Sequence, residues 1–243
     1  MRKHAAAIAV AALFAMSAVI YLIQYVLFHD LKDTGFYMLQ DWAFLPVQIA
    51  IVTIVVGMIV NGREKSERLS RTRTLASAFF RDFGTDLIVL MIGHAERSEC
   101  LESLAAIDQN WAEKDFVQAS AALKKADIKT NCTAEGFIEM REPLMARKAD
   151  LQAIASNPAL LEHEDFTDML WAIFHMMDEL TLRGELSDLS AGDIAHLNSD
   201  LERALRGLLV NWVCHIAHIK SEYPYLYVIE AKKNPVAGHL ASE

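Results

Sequence analysis

Histidines and carboxylates at helical spacing are the side chains of this chain best suited to chemistry. His175 and Glu179 stand four residues apart, and His215 and His218 three apart, so each pair shares one face of a helix. Two such helices side by side would gather three imidazoles and a carboxylate, a donor set for a metal ion inside a helical bundle. The spacing departs from the di-iron pattern, which needs carboxylates on four helices and Glu-x-x-His pairs. Trp171, Phe174 and Met176 flank His175, and a hydrogen-bonded core histidine suits those surroundings as well as a ligand does. Both readings stand at this point, and nothing else in the sequence asks for a cofactor.

A second group of polar side chains sits in apolar surroundings. Gln24 falls in an uncharged run at 5–28, and Gln48 and Thr53 fall in another at 42–60, which Asp41 precedes. Polar groups in hydrocarbon are costly and mark either pathways or contacts between helices. In a ring of subunits, Gln48 and Thr53 would line a pore with Asp41 at its outer mouth. In the simpler reading Gln24 and Gln48 hydrogen-bond between helices, and Asp41 caps the second one. No selectivity-filter motif accompanies them. P-loop, dinucleotide fingerprint, nucleophile elbow, kinase set and HExxH are all missing from the sequence, so the expectation is a protein that is not an enzyme.

These residues need elements to hold them. Hydrophobic residues make up 53% of the 243, and the mean hydropathy of +0.19 is concentrated in the two runs. Each is long enough for a helix across a hydrocarbon layer of roughly 30 Å. The first also has the charged start of a signal peptide, yet its apolar stretch outlasts a signal core. Two retained transmembrane helices are therefore expected. Arg2 and Lys3 precede the first, and Arg63, Lys65, Arg68, Arg71 and Arg73 follow the second, whereas the loop 28–41 has one lysine against three aspartates. That asymmetry puts both termini in the cytoplasm. The same basic collar suits lipid headgroups. Residues 1–74 carry net +3 and residues 75–243 net −12. The acidic larger part has no basic patch to neutralise phosphates, which argues against nucleic acid as a partner. Cys100, Cys132 and Cys214 are scattered and read as thiols on the reducing side.

Beyond the second run, Leu69, Leu75, Phe79, Phe80, Phe83, Leu87 and Leu90 recur at helical spacing and predict an amphipathic helix over 64–92. Further helices are predicted at about 98–110, 114–126, 135–156, 165–183 and 191–222. Pro143 should kink or divide the third of these. Gly184 suits a helix C′ position, and Ser190 with Asp193 approximates a capping box. Carboxylates in 161–166 suit a helix N-terminus. In the last helix Ile194, Leu197, Leu201, Leu205, Leu208, Trp212, Ile216 and Ile219 form one stripe. Tyr223, Tyr225 and Tyr227 follow it, and packing onto the bundle explains them better than a partner surface.

Several phrases stand together: Leu27-Phe-His-Asp30, Phe36-Tyr-Met-Leu-Gln-Asp41, Phe44-Leu-Pro-Val-Gln48, Leu160-Leu-Glu-His163, Leu170-Trp-Ala-Ile-Phe-His175 and Tyr223-Pro-Tyr-Leu226 with Asn234-Pro235. In these the chain resembles a family of uncharacterised prokaryotic proteins with two membrane helices and a helical cytoplasmic domain. The resemblance implies the architecture and carries no functional residue with it. The expected protein is all-α: a transmembrane hairpin at 1–62, a basic collar and connecting helix at 63–92, and a cytoplasmic helical bundle at 93–243. Its expected role is an inner-membrane interaction or sensing module, anchored and oligomerised by the hairpin, with a cytoplasmic protein as a possible partner. The alternative is a homo-oligomeric channel lined by the second helix.

Overall fold

A computed structural model describes residues 15–23, 25–27, 31–161 and 163–242, with the side chains of 31, 33, 34, 61, 63–74, 159, 161 and 242 outside that description. Among the described residues the fold is all-α, and the single extended contact is an isolated antiparallel bridge between Ala95 and Thr130. The chain divides into two compact units after Lys65.

In the first unit, α1 (Ala15–Leu27, Gln24 apart) is an apolar helix too short to cross a bilayer over its described length. The rest of the first hydrophobic run lies outside the described residues. Among the described residues one helix is long and apolar enough to span: Gly35–Val60, 26 residues with none of them buried. It belongs to α2 (Leu31–Phe79), which passes through Pro46 without ending. Proline removes one helical N–H, which lipid-spanning helices tolerate when neighbouring groups satisfy the freed carbonyl.

The second unit is a bundle organised around one long helix. After α2 come a π-helical turn at Phe80–Gly84 and α3 (Thr85–Ile92), then α4 (Glu99–Ala105) and α5 (Glu113–Lys125). These are followed by α6 (Ala134–Ala146), α7 (Lys148–Ala155), α8 (Pro158–Leu161), α9 (Glu164–Leu182), α10 (Ala191–Glu222), α11 (Pro224–Lys232) and α12 (Pro235–Ser242). Helix α10 packs against α9, α5, α11 and α3. Seven of the eight residues in its predicted stripe are buried, Ile194 being half-buried. Burial extends to Ala204, Leu209 and Val213, so α10 is covered on more than one side. Gly207 permits the closest approach, since a Cβ there would stand 3.1 Å from the Met169 backbone of α9.

The connecting segment expected at 63–92 falls across the division, and its part beyond Lys65 supplies Phe79, Phe80, Phe83 and Leu87 to the bundle core. The π turn adds a residue to one helical turn and lets adjacent phenylalanines face inward together. Phe79 meets Phe80, Phe83 and Phe166 edge-to-face at 4.8, 5.0 and 5.4 Å. Thr85 donates both its backbone N–H and, at 2.9 Å, its hydroxyl to the Phe80 carbonyl, which closes the irregular turn.

Several predicted boundaries shift for local reasons. The segment at 135–156 does divide, but at Arg147 (φ −90°, ψ 0°); α6 runs through Pro143 to Ala146. The segment expected at 98–110 stops at Ala105, because Asp108 turns the chain by accepting the Asn110 N–H at 2.8 Å. Ser190 and Asp193 do form a reciprocal capping box, with N–H to side-chain distances of 3.1 and 3.2 Å. Gly184 takes φ +68°, the left-handed conformation that closes α9.

The tyrosines behave differently from one another. Tyr227 is buried, packs on Phe116 and donates to the Asp108 carbonyl. Tyr225 is 93% exposed and Tyr223 58% exposed, so the expectation of packing holds for one of the three. Asn234 fixes the tail instead, donating to the Leu104 carbonyl at 2.7 Å and accepting the Val236 N–H at 3.0 Å.

Candidate functional site

The folded bundle reassigns the two histidine pairs. Helix α10 rises 1.5 Å per residue, so His215 lies about 22 Å along it from Asp200. His175 lies beside Asp200, its Nε2 3.4 Å from Oδ2. His175 and His215 therefore occupy distant parts of one bundle and cannot share an ion.

His215 is the core histidine. Its ring stacks on Phe80 at 5.2 Å and its Nδ1 meets the Ser77 hydroxyl at 3.1 Å. Burial first, then the charges of His218 and Arg81, push its pKa down to about 4, so the ring is neutral at physiological pH. His175, the residue with the more apolar sequence neighbours, is exposed, as are Trp171 beside it and Leu182 at the helix end.

His175 gains two partners that sequence reading passed over, His196 and Asp200, which stand four apart on one face of α10. One ligand atom from each of the three lies within 4.8 Å of the others. The His196 Nε2 is also 3.4 Å from Asp200 Oδ2, and Glu179 Oε2 is 3.8 Å from the same nitrogen. Asp200 is the unusual member, its side chain only 1% exposed. Arg203 binds its Oδ1, while Oδ2 is buried without a donor in hydrogen-bonding geometry. A carboxylate buried this completely needs positive charge around it. Its place within the apolar stripe, with His196 one turn earlier, was the sequence signal for this cluster.

Neighbouring elements hold these groups in place. Arg183 bonds Glu179 Oε2 at 2.8 Å and also binds Asp193 in the α10 capping box. This joins the end of α9 to the start of α10. Hydrogen bonds from Ser190 and then Arg183 keep the exposed Asp193 carboxyl below its usual range. A cleft of about 590 Å³ adjoins His175 and is also lined by Lys124, Trp171, Arg203 and Arg206.

The remaining sequence candidates lie elsewhere. Asp41 accepts a hydrogen bond from the Tyr21 hydroxyl at 2.7 Å, joining α1 to α2 within the first unit. Gln48 and Thr53 are exposed on α2. Gln24 lies outside the described residues, as do the side chains of Arg63, Lys65, Arg68, Arg71 and Arg73. In the acidic stretch 161–166, Asp165 lies in the first turn of α9 and pairs with Lys124 at 2.7 Å. The three cysteines form no disulfide. Cys132 is buried between the Ala95–Thr130 bridge and α6, and burial, with Glu139 nearby, pushes its thiol up to about 12.

Comparison with known proteins agrees with the two-part organisation. The family described as the C-terminal helical domain of uncharacterized protein MJ1433 matches residues 68–232, and that of the MJ1433 N-terminal helical domain matches residues 2–60. The uncharacterized protein MJ1433 of Methanocaldococcus jannaschii is 28% identical over 234 residues, covering 96% of this chain and 94% of that protein. No solved structure matches the chain. With both helical domains matched, in order and across nearly the whole length, the chain belongs to the MJ1433 family.

Proposed function

We propose that this protein is a non-enzymatic membrane protein whose helical bundle is an interaction or sensing module. A two-helix hairpin anchors it in the cell's inner membrane, with both ends and the bundle on the cytoplasmic side. The observation that carries this reading is α2, whose 26-residue apolar segment Gly35–Val60 has no buried residue. An apolar face of that size needs lipid or protein around it, and its length matches a bilayer. The Tyr21–Asp41 hydrogen bond supports the hairpin. It also favours an interhelical role for Asp41 over a place at a pore mouth. The arginines and lysine at 63–73 meet anionic headgroups on the cytoplasmic face. Self-association through the hairpin supplies the oligomer, and the acidic bundle is left to a cytoplasmic protein partner.

The test uses the protein's own thiols. The full chain is expected to stay with membranes through an alkaline carbonate wash. A membrane-impermeant maleimide should leave Cys214, which is exposed on the bundle, unmodified in sealed cells and modify it in inverted vesicles. Release of the protein by carbonate would remove the anchor. Labelling in sealed cells would put the bundle on the other side.

A further inference from the structure

We propose that His175 Nε2, His196 Nε2 and Asp200 Oδ2 form a binding site for a divalent first-row transition cation of the zinc class, with Glu179 beside it. The inference holds whether or not α2 spans a bilayer, because every ligand belongs to the bundle.

Donor chemistry comes first. Two imidazole nitrogens and one carboxylate oxygen suit zinc and its neighbours in the first transition row, and disfavour the hard cations that prefer all-oxygen shells. Spacing is the second reason. Asp200 Oδ2 lies 3.4 Å from each imidazole nitrogen. A tetrahedral ion with ligand bonds of roughly 2.1 Å holds neighbouring ligands about 3.4 Å apart. The two separations from Asp200 therefore match those of ligands around an ion, and all three donor atoms lie within 4.8 Å of one another.

Third, Asp200 Oδ2 is a buried acceptor without a hydrogen-bond donor, aimed at both rings. Arg203 occupies the other oxygen and fixes the plane of the carboxylate. That is the arrangement by which an outer partner orients a metal ligand. Glu179, itself gripped by Arg183, has its Oε2 3.8 Å from the same His196 nitrogen, within reach of completing the shell. Fourth, the side chains of His175 and His196 are 46% and 49% exposed, so an ion can enter from solvent and keep a position open for water. The ligands stand on two helices that pack along each other, and so are placed before the ion arrives. The competing explanation is a structural contact in which Arg203 alone neutralises Asp200 and no ion binds.

Full-length protein in detergent, stripped with chelator, is titrated with Zn²⁺ by calorimetry and with Co²⁺ as an optical probe. One equivalent of each is expected to bind per chain, with Co²⁺ developing the visible bands of a low-coordinate centre. His196→Ala and Asp200→Asn should each weaken Zn²⁺ by roughly 100-fold or more, and Glu179→Gln by roughly 10-fold. His218→Ala, about 27 Å along α10 from Asp200, should leave both titrations unchanged. His196 is half exposed, so its variant is expected to keep the wild-type helical signal and melting behaviour, which a thermal scan checks. Wild-type protein that binds no stoichiometric Zn²⁺ overturns the proposal. So does binding that persists at full strength in folded His196→Ala.

Discussion

Asn198→Ala is expected to lower the unfolding free energy of the bundle by about 3–5 kcal/mol, more than most single substitutions cause. Asn198 lies on α10 and is buried. Its carbonyl accepts from the Thr130 hydroxyl at 2.7 Å and from the Cys132 N–H at 2.8 Å. Its amide donates to the carbonyls of Cys132 and Ile194, both at 2.9 Å. One side chain thus binds both backbone groups of Cys132 and fastens the 130–132 loop to the central helix. Truncation leaves the buried Cys132 N–H and carbonyl without partners, each costing about 1–3 kcal/mol, and adds a small cavity, while the Thr130 hydroxyl keeps the Asn198 backbone carbonyl at 3.3 Å. Denaturant unfolding of the full chain in detergent, followed by helical circular dichroism, is the measurement. A fall in midpoint with unchanged slope is the expected result. A loss under about 1 kcal/mol would mean that water replaces the amide, as it does at exposed sites.

Acid should weaken the bundle through His215. The unfolded chain takes up a proton on this ring near its ordinary pKa of 6.5, and the folded chain only near pH 4. Between those values the unfolded state binds more protons, so stability falls as pH falls. The contribution is fully present above about pH 6.5, declines through the window and is gone below about pH 4. Its size is about 3 kcal/mol for a shift of this extent. Protonation would place a cation against the Phe80 face, near Arg81 and His218, in a site with little water. Other groups titrate in the same range, so the informative quantity is the difference from His215→Gln. That variant keeps a polar side chain beside Ser77 and cannot titrate. Its melting temperature should change less between pH 7 and pH 4 than the wild type's. Parallel profiles would show that His215 is hydrated and ordinary.

The two predictions draw on residues that the sequence revealed unequally. Helices α9 and α10 were legible almost to the residue, because apolar periodicity is long and Ser190, Asp193 and Gly184 mark their ends chemically. The apolar run at 42–60 was equally plain, but the helix that carries it begins at Leu31, inside the stretch 28–41 expected as a loop. What stayed hidden was lateral: which face of one helix meets which face of another. His215 and His175 both sit in apolar sequence, yet one is stacked in the core and the other stands at the surface. Periodicity assigns a residue to a face but does not say whether a neighbour covers that face. Asn198 and Asp200 lie beside the stripe of α10, and the sequence reading passed over both. A helix covered on several sides buries them, and they become informative for the partners they demand. The early end of α4 was missed for a smaller reason: turn chemistry at Asp108 and Asn110 overrode a helical pattern.

The buried Cys132 gives the bundle an internal clock. With its thiol near 12, only about one molecule in 10⁵ carries the reactive thiolate at neutral pH, and solvent scarcely reaches it. Alkylation must then wait for the 130–132 loop to lift away from Asn198, after which the thiol behaves as any free cysteine would. The rate at which this sulfur disappears therefore measures how often one joint opens while the rest of the bundle stays folded. That joint connects the Ala95–Thr130 bridge to α10, and its opening frequency distinguishes a bundle that unfolds as a whole from one that first loosens along this seam.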